Sequence, residues 1–347
     1  MIRRFVYMVD LCLGDPISHR LRRFNPSHLF YPKDMPPGDR ATVEDARLPP
    51  PIMTFCSPGP RASSVSMEFM RRNDGKIVGV DHTGRSILYD DDAHTVRTLP
   101  NITMPKVWTM SVPIGDEDVY LMEMTPRRDG GSDEKPERSF EALVRRREGN
   151  GEDYFWRPLP PPPPCANAPK YFHGSGVMVS GYAAVGDSHI LVSTMSHGTY
   201  AFDTAAAAWS KAGDWGLPFR GRAVHVPEHG LWFGISDADD TLLAAWDLSS
   251  SPITQPPPPP SLQSMGLSIP SWDGLPMPVV DVSHVVNLGD GKLCVAKLFT
   301  VDDRGLYSFA MLTGVEVVRR HGGKICVIKH KSRRYSFGED KTPAFVL

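Results

Sequence analysis

The sequence predicts an all-β fold, a β-propeller of about six four-stranded blades closed by pairing of its N- and C-terminal strands. Three observations lead there. An aromatic-Asp pair recurs at Tyr89-Asp90, Phe202-Asp203 and Trp246-Asp247, and six residues after each Asp comes a β-type apolar residue: Val96, Trp209, Ile253. The strand before each pair keeps its phase, with thirteen residues both from Ile77 to Asp90 and from Ile190 to Asp203. No capped run carries the i, i+3, i+4 apolar spacing of an amphipathic helix. Four strands per unit at a period of about 40–60 residues is the pattern of propeller blades. A pair of β-sandwiches would leave the shared phase unexplained.

Taken in order, the N-terminal "MIRRFVYMVDLCLGDPISHRLRRF" is Arg-rich. Mitochondrial presequences avoid acidic residues, so Asp10 and Asp15 make "RRFVYMVDL" a strand of the fold instead. Five units follow at roughly 64–102, 105–164, 178–219, 220–260 and 282–320. In each, a strand such as "SMEFMRR" or "GRAVHV" precedes a Gly/Asp/His turn, a second apolar strand, a polar turn and a closing hairpin. The sixth combines 323–337 with 1–50, so that residues 1–347 make a single domain. Proline punctuates the units, in "RLPPP" (47–51), "PLPPPPP" (158–164) and "QPPPPP" (255–260). Such runs serve as polyproline ligands elsewhere, but here they share one phase of the repeat. Pro donates no ladder hydrogen bond, so they read as connectors that stop strand pairing.

Composition narrows the function classes. Lys plus Arg total 38 against 40 Asp plus Glu, so no basic field points to nucleic acid. No stretch reaches the ~18 apolar residues of a membrane span. The five cysteines (Cys12, Cys56, Cys165, Cys294, Cys326) form no CxxC pair, which fits reduced thiols better than disulfides or zinc. The expected compartment is intracellular, cytoplasm or nucleus.

The hairpin "GTYAFDTAAAAWSKAGDWGLPF" together with "VPEHGLWFGIS" resembles kelch-type, galactose-oxidase-like propellers. More specifically, "RRFVYMVDL", "RRFNPSHLFYP", "DHTGRSILYD", "WSKAGDWGLPFRGRAVHVPEHGLWFG", "LTGVEV" and "KHKSRRY" resemble a grass-expanded plant family with a domain of unknown function. These segments span nearly the whole chain. The resemblance implies the propeller fold and carries no assigned activity. The paired glycines usual in kelch repeats occur only at Gly130-Gly131 and Gly322-Gly323, outside the repeat phase, so the kelch likeness is loose.

Each candidate chemical motif has a plainer structural reading. Asp90, Asp203 and Asp247 sit at equivalent strand ends, where Asp bonds its own turn backbone. "YDDDAH" (90–94 with its Tyr89) and "SDADDT" (236–241) lack the EF-hand pattern and read as solvated turn tips. The twelve histidines form no HxH or HExxH, and "HGSGV" is too short for a nucleophile elbow. "GDGK" (289–292) lacks phosphate-loop spacing and reads as a two-residue hairpin turn. "KHKSRRY" (329–335) reads as a Lys-protected edge strand before it reads as an import signal. Trp209, Trp232 and Trp246 are expected in packing. No catalytic residue, metal or cofactor is assigned.

Function is therefore expected at the loops joining second and third strands, which leave a meander at one end: 81–85, 125–138, 193–198, 236–241 and 300–305. They hold ten acidic and six basic residues, net −4, against −2 for the chain. The candidate partner-binding residues are Asp81, Arg85, Asp237, Asp239, Asp240, Asp302, Asp303 and Arg304. They suit a basic segment of another protein. The leading expectation is a non-catalytic protein-interaction scaffold. Two alternatives stand beside it: a sugar- or glycan-active enzyme or lectin-like binder using the central pocket, and the substrate-recognition subunit of a ubiquitin ligase.

Overall fold

In the computed structural model, residues 3–14, 16–32, 43–56, 67–106, 108–125, 139–148, 151–166, 178–249, 254–257, 265–266, 279–301, 307–320 and 325–347 are described. Apart from a 3-10 turn at Pro26–Leu29 and one helical turn at Pro163–Ala166, the regular elements are strands. The chain forms two compact units. The first comprises Met1–Cys56, Phe219–Leu248 and Pro257–Leu347, the second Ser57–Pro218 and Ser249–Pro256. The N-terminal segment gives the first unit β1 (Val6–Cys12), β2 (Ser18–Phe24), β3 (Val43–Ala46) and β4 (Pro51–Cys56).

The second unit holds three four-stranded meanders. They are β5 (Met67–Arg71), β6 (Ile77–Asp81), β7 (Ser86–Asp90) and β8 (Thr95–Leu99); then β9 (Thr109–Ile114), β10 (Asp118–Glu123), β11 (Phe140–Glu148) and β12 (Gly151–Leu159); then β13 (Val179–Val185), β14 (His189–Thr194), β15 (Gly198–Asp203) and β16 (Ala208–Gly213). Successive strands pair antiparallel throughout. The register explains the repeat spacing: Tyr89 faces Val96, and Phe202 faces Trp209. The intervening turns match as well. Asp90 Oδ1 accepts from the Ala93 N–H at 3.1 Å, and Asp203 Oδ1 from Ala205 and Ala206 at 2.9 and 3.0 Å. His94 and Ala207, each the last turn residue, both take φ 51°. One turn chemistry is used twice, and it fixes which aromatic points inward. There Phe140, Phe202 and Trp209 pack with ring centroids 4.9–5.7 Å apart, and the Trp209 indole donates to Pro160 O at 2.8 Å. The proline run at 158–164 is thus built into the unit, with Pro161, Pro162 and Pro164 buried.

The first unit continues with β17 (Phe219–Val226), β18 (Leu231–Ser236), β19 (Leu242–Trp246) and β20 (Met265–Gly266), then β21 (Val279–Gly289), β22 (Lys292–Thr300), β23 (Ser308–Arg319), β24 (Ile325–Ser336) and β25 (Lys341–Val346). Trp246 pairs with Trp232 and packs on Phe219, and Trp232 stacks on His225 at 4.2 Å. Ile253 lies outside the described residues. The fourth strand here is β20, paired with Leu242 and Leu243, beyond the unit boundary expected at 260. Pro256 and Pro257 have no N–H to offer a ladder.

The C-terminal assignment also needs correction. Residues 325–336 do not share a sheet with β1 and β2, though they do pair with β3 of the 1–50 segment. They form β24, fourth in the order β21-β22-β23-β24-β3, because two twelve-residue strands, β23 and β24, match from Phe309↔Ser336 to Arg319↔Ile325. The strand that pairs with β1 is β25, in the sheet β25-β1-β2-β4, with Met8 opposite Val346 and Cys12 opposite Lys341. Nor is "KHKSRRY" an open edge. Parallel β3 covers Ser332 to Tyr335, with Glu44 beside Lys331 and Arg333, and Asp45 on Arg334.

"GDGK" is the two-residue turn its spacing implies: Asp290 (φ 54°) and Gly291 (φ 67°) join β21 to β22, a primed hairpin geometry. A Cβ on Gly291 would meet Val317 O at 2.8 Å, so glycine is required twice over. Gly314 likewise lets Leu29 approach, since a Cβ there would lie 2.4 Å from Leu29 O. The buried core of this unit joins Val226, Phe233, Leu243, Leu293, Val295 and Val315 in one cluster and Val6, Met8, Leu29, Cys294, Ala310 and Leu312 in another. Burial pushes the Cys294 thiol up to about 12, so it acts as a small hydrophobe.

Two outcomes follow for this unit. Removing Lys341–Leu347 strips β1 of one neighbour and takes Val346 out of the core. The truncated chain should lose ~3–5 kcal/mol, as for emptied core sites, or fail to stay soluble. An unchanged melting temperature would show that β25 is dispensable. Second, burial lowers His19 and His284 from 6.5 to about 4, with Arg222 adding to the effect at His284. Below pH 6.5 the unfolded chain takes up protons that the folded one refuses. Stability is therefore full above pH 6.5 and falls towards pH 4, by about 3 kcal/mol per imidazole. Urea melts across that window should show the slope, and His284→Leu should reduce it.

Candidate functional site

The loop residues singled out from sequence have diverse local roles. Asp81 is buried, and its Oδ1 accepts from Thr83 N, Thr83 Oγ1 and Arg85 N at 2.8, 2.7 and 3.0 Å. Its carboxylate thus serves its own turn, while the Arg85 side chain stands exposed. Asp237 is exposed and takes the Arg220 Nε at 3.0 Å. Asp239 accepts from Thr241 N and Oγ1, bonds that hold its carboxyl below the usual range and so keep it charged. The Asp240 carbonyl receives buried Lys297 at 3.3 Å. Asp302, Asp303 and Arg304 lie outside the described residues, as does 126–138 of the β10–β11 loop. Asp237, Asp239 and Asp240 are therefore brought together on one turn, and Asp81 and Arg85 occupy another.

A different feature unites the same ends of the sheets. In a meander, the loop between the second and third strands and the start of the first strand share an end. Among the described residues six large apolar side chains are exposed, and five lie at that end of their own sheet. Leu13 (56% exposed) lies on the β1–β2 link, Met195 (62%) on β14–β15 and Tyr307 (56%) on β22–β23; Trp108 (70%) and Val282 (46%) lie at the starts of β9 and β21. Val96 alone stands elsewhere, on an outer strand.

Around Trp108 the second unit carries buried charge. Glu141, second in β11, and Lys106 form an ion pair with side chains only 0% and 1% exposed. Glu141 also accepts from the Thr103 and Met104 N–H groups at 3.1 and 3.4 Å, and Lys106 donates to Met104 O at 3.0 Å. Burial lowers the Lys106 ammonium pKa and Glu141 opposes that shift. Glu68 of β5 reaches the start of β9 in the next meander: it accepts from Trp108 N at 3.2 Å and Thr109 Oγ1 at 2.6 Å. Burial raises its carboxyl, which these bonds counter. Trp108 itself has φ 57°, a left-handed conformation that costs a bulky residue ~1–2 kcal/mol. Among the described residues, the four others of positive φ that are not glycine sit in turns as His, Ala or Asp. Glu68 and Lys106–Glu141 thus hold the segment before β9 in a shape that puts an indole in water.

Sequence reading missed this group. Its one signal was a charge inside an apolar strand, Glu68 in "MEFMR" and Glu141 in "FEALV", and that pattern names no partner for either carboxylate. Among the described residues, no group of three His, Cys, Asp or Glu is placed to hold a metal ion. No helix there is long and apolar enough to cross a membrane.

Repeated four-stranded meanders with turn-locked loops define an all-β, propeller-like protein. The chain belongs to the family described as "Protein of unknown function (DUF1668)", whose model matches residues 3–335. No curated protein matches it. Among solved structures it is similar to apo AztD from Citrobacter koseri, with 13% identity over 96% of this chain and 98% of that one and a TM-score of 0.36. It is also similar to BBS1N in complex with ARL6DN, with 12% identity, 71% and 66% of the two chains covered and a TM-score of 0.37.

If Trp108 is held against its backbone preference, Trp108→Asn should relieve strain, since Asn tolerates φ > 0. The variant should be as stable as the parent or up to ~1 kcal/mol more so. Denaturant melts check this; a loss of more than ~1 kcal/mol would show the indole to be structural.

Proposed function

We propose that the meanders are blades of a propeller closed through the β1–β25 pairing, and that their loop ends form a non-catalytic docking surface for another protein. The observation that carries this reading is the placement of five large apolar side chains in solvent at the loop end of their sheets. Exposed aromatic and methionine side chains on rigid supports are the material of interface anchors, whereas apolar residues scattered singly need no explanation. Two other turns at the loop ends, 81–85 and 239–241, are braced by their own carboxylates, which limits the entropy they lose on docking. The exposed carboxylates of Asp237 and Asp239 add charge that steers a basic segment towards the same end.

Affinity purification with the full chain should recover a partner that elutes as salt is raised. Replacing Asp237, Asp239 and Asp240 together by Asn, which keeps the turn's acceptors, should weaken that partner's binding in a folded chain. The same partner list from a folded variant would move the surface away from this loop.

A further inference from the structure

We propose that His330 is an acid-sensitive latch: its unprotonated Nδ1 holds the Phe30–Tyr31 stretch on β24, and protonation of the ring lets that stretch go. This goes beyond the docking reading and does not depend on it. The ring is buried, 8% exposed, in the middle of β24. The Tyr31 N–H donates to its Nδ1 at 3.2 Å, and its Nε2 lies 3.0 Å from Glu316 Oε2 on β23. A ring nitrogen that accepts from an amide carries no proton, so the hydrogen sits on Nε2 and points at Glu316. Phe30 and Tyr31 pack on the same imidazole, with ring centroids 5.0 and 5.9 Å away. Just upstream, Leu29 of the 3-10 turn is seated against Gly314 in the core. Leu29 therefore anchors one end of the stretch, and the bond from the Tyr31 amide to His330 fastens the other.

Protonation reverses the role of Nδ1. An imidazolium has two N–H donors and no acceptor, so the Tyr31 amide then faces another donor. That bond is lost and the two groups repel, while the Nε2–H keeps its carboxylate. The surrounding charges set the balance. Glu316 touches the ring and draws the proton. Lys292, opposite Glu316 on β22, stands 5.2 Å from the Phe30 ring. Lys331 of β24 stands 5.2 Å from the Tyr31 ring and 3.7 Å from Glu44 of β3. Lys329 is the other ammonium beside His330 in the strand, and burial lowers its pKa. The 3-10 turn adds one titratable group, the exposed His28. Each of Lys292 and Lys331 thus has an aromatic face or a carboxylate of its own, and the carboxylate in contact with the imidazole is that of Glu316. Release bares Phe30 and Tyr31 and the two ammoniums that stand over them.

The test uses the full chain, with the Tyr31 amide and the His330 ring followed by NMR from about pH 8 to about pH 5, the range over which imidazoles change charge. As His330 titrates, the Tyr31 amide should lose about tenfold of its hydrogen-exchange protection, corrected for intrinsic rates, the scale of one lost hydrogen bond. His330→Asn puts a carbonyl oxygen near the place of Nδ1, so it should keep the Tyr31 amide protected at every pH. Glu316→Gln removes the charge that draws the proton from a half-exposed position, so it should fold and move the release to lower pH. Both variants retain His19 and His284, so acid unfolding driven by those two rings would act on parent and variants alike. A Tyr31 amide that stays protected while His330 titrates, a His330 that does not titrate in this range, the same profile in folded His330→Asn as in the parent, or an unmoved midpoint in Glu316→Gln would overturn the proposal.

Discussion

Every buried strand must spend its N–H and C=O groups on a neighbour, and in a chain built almost wholly of strands this requirement shapes the rest. It is met locally wherever a meander can be closed by short turns, as in β5 to β8 and β13 to β16. It is met non-locally at the termini, where β1 takes β2 on one side and β25 on the other. It also explains β3, a short parallel strand drawn onto β24 that covers a basic stretch otherwise left as a polar edge. The turns follow the same logic. Asp at a strand end satisfies the amides that the ladder has just released, which is why the motif recurs without marking chemistry.

Charges inside the sheets are the second layer. Asp10 and Arg22 face each other across β1 and β2 with side chains 0% and 6% exposed, and Arg22 also reaches Pro49 O. Lys106 and Glu141 repeat the arrangement in the second unit. Such pairs add little net stability over an apolar pair of the same shape, yet removing one partner is severe, because the other is left buried and charged. Their effect here is to fix where chain segments enter the sheets. Arg22 ties the 47–51 segment to β2, and Glu141 ties residues 103–106 to β11.

That second anchoring links packing to the proposed docking surface. The segment before β9 is held by Glu141 at one end and Glu68 at the other, and between them the backbone adopts the one left-handed Trp among the described residues. A fold that needed only stability would place the indole inward. Holding it outward uses interactions made elsewhere in the unit, the usual relation between local strain and a surface kept for recognition.

Much of the scaffold was legible in the residues. Spacing between aromatic-Asp pairs encodes hairpin register, because a four-residue turn places Tyr89 against Val96 and Phe202 against Trp209 through local geometry alone. The all-β class, the first three meanders and the Asp290-Gly291 turn followed from such short-range rules. The choice of β25 over β24 as the partner of β1 did not, because only the matched length of β23 assigns β24 elsewhere. The Trp108 surface was hidden for the same reason. Glu68, Lys106, Trp108 and Glu141 are separated by up to 73 positions in the chain, and each taken alone is an ordinary residue of an ordinary strand or loop. Local sequence set the turns and the alternation; long-range pairing alone decided which charges meet and which aromatic ring is left facing water.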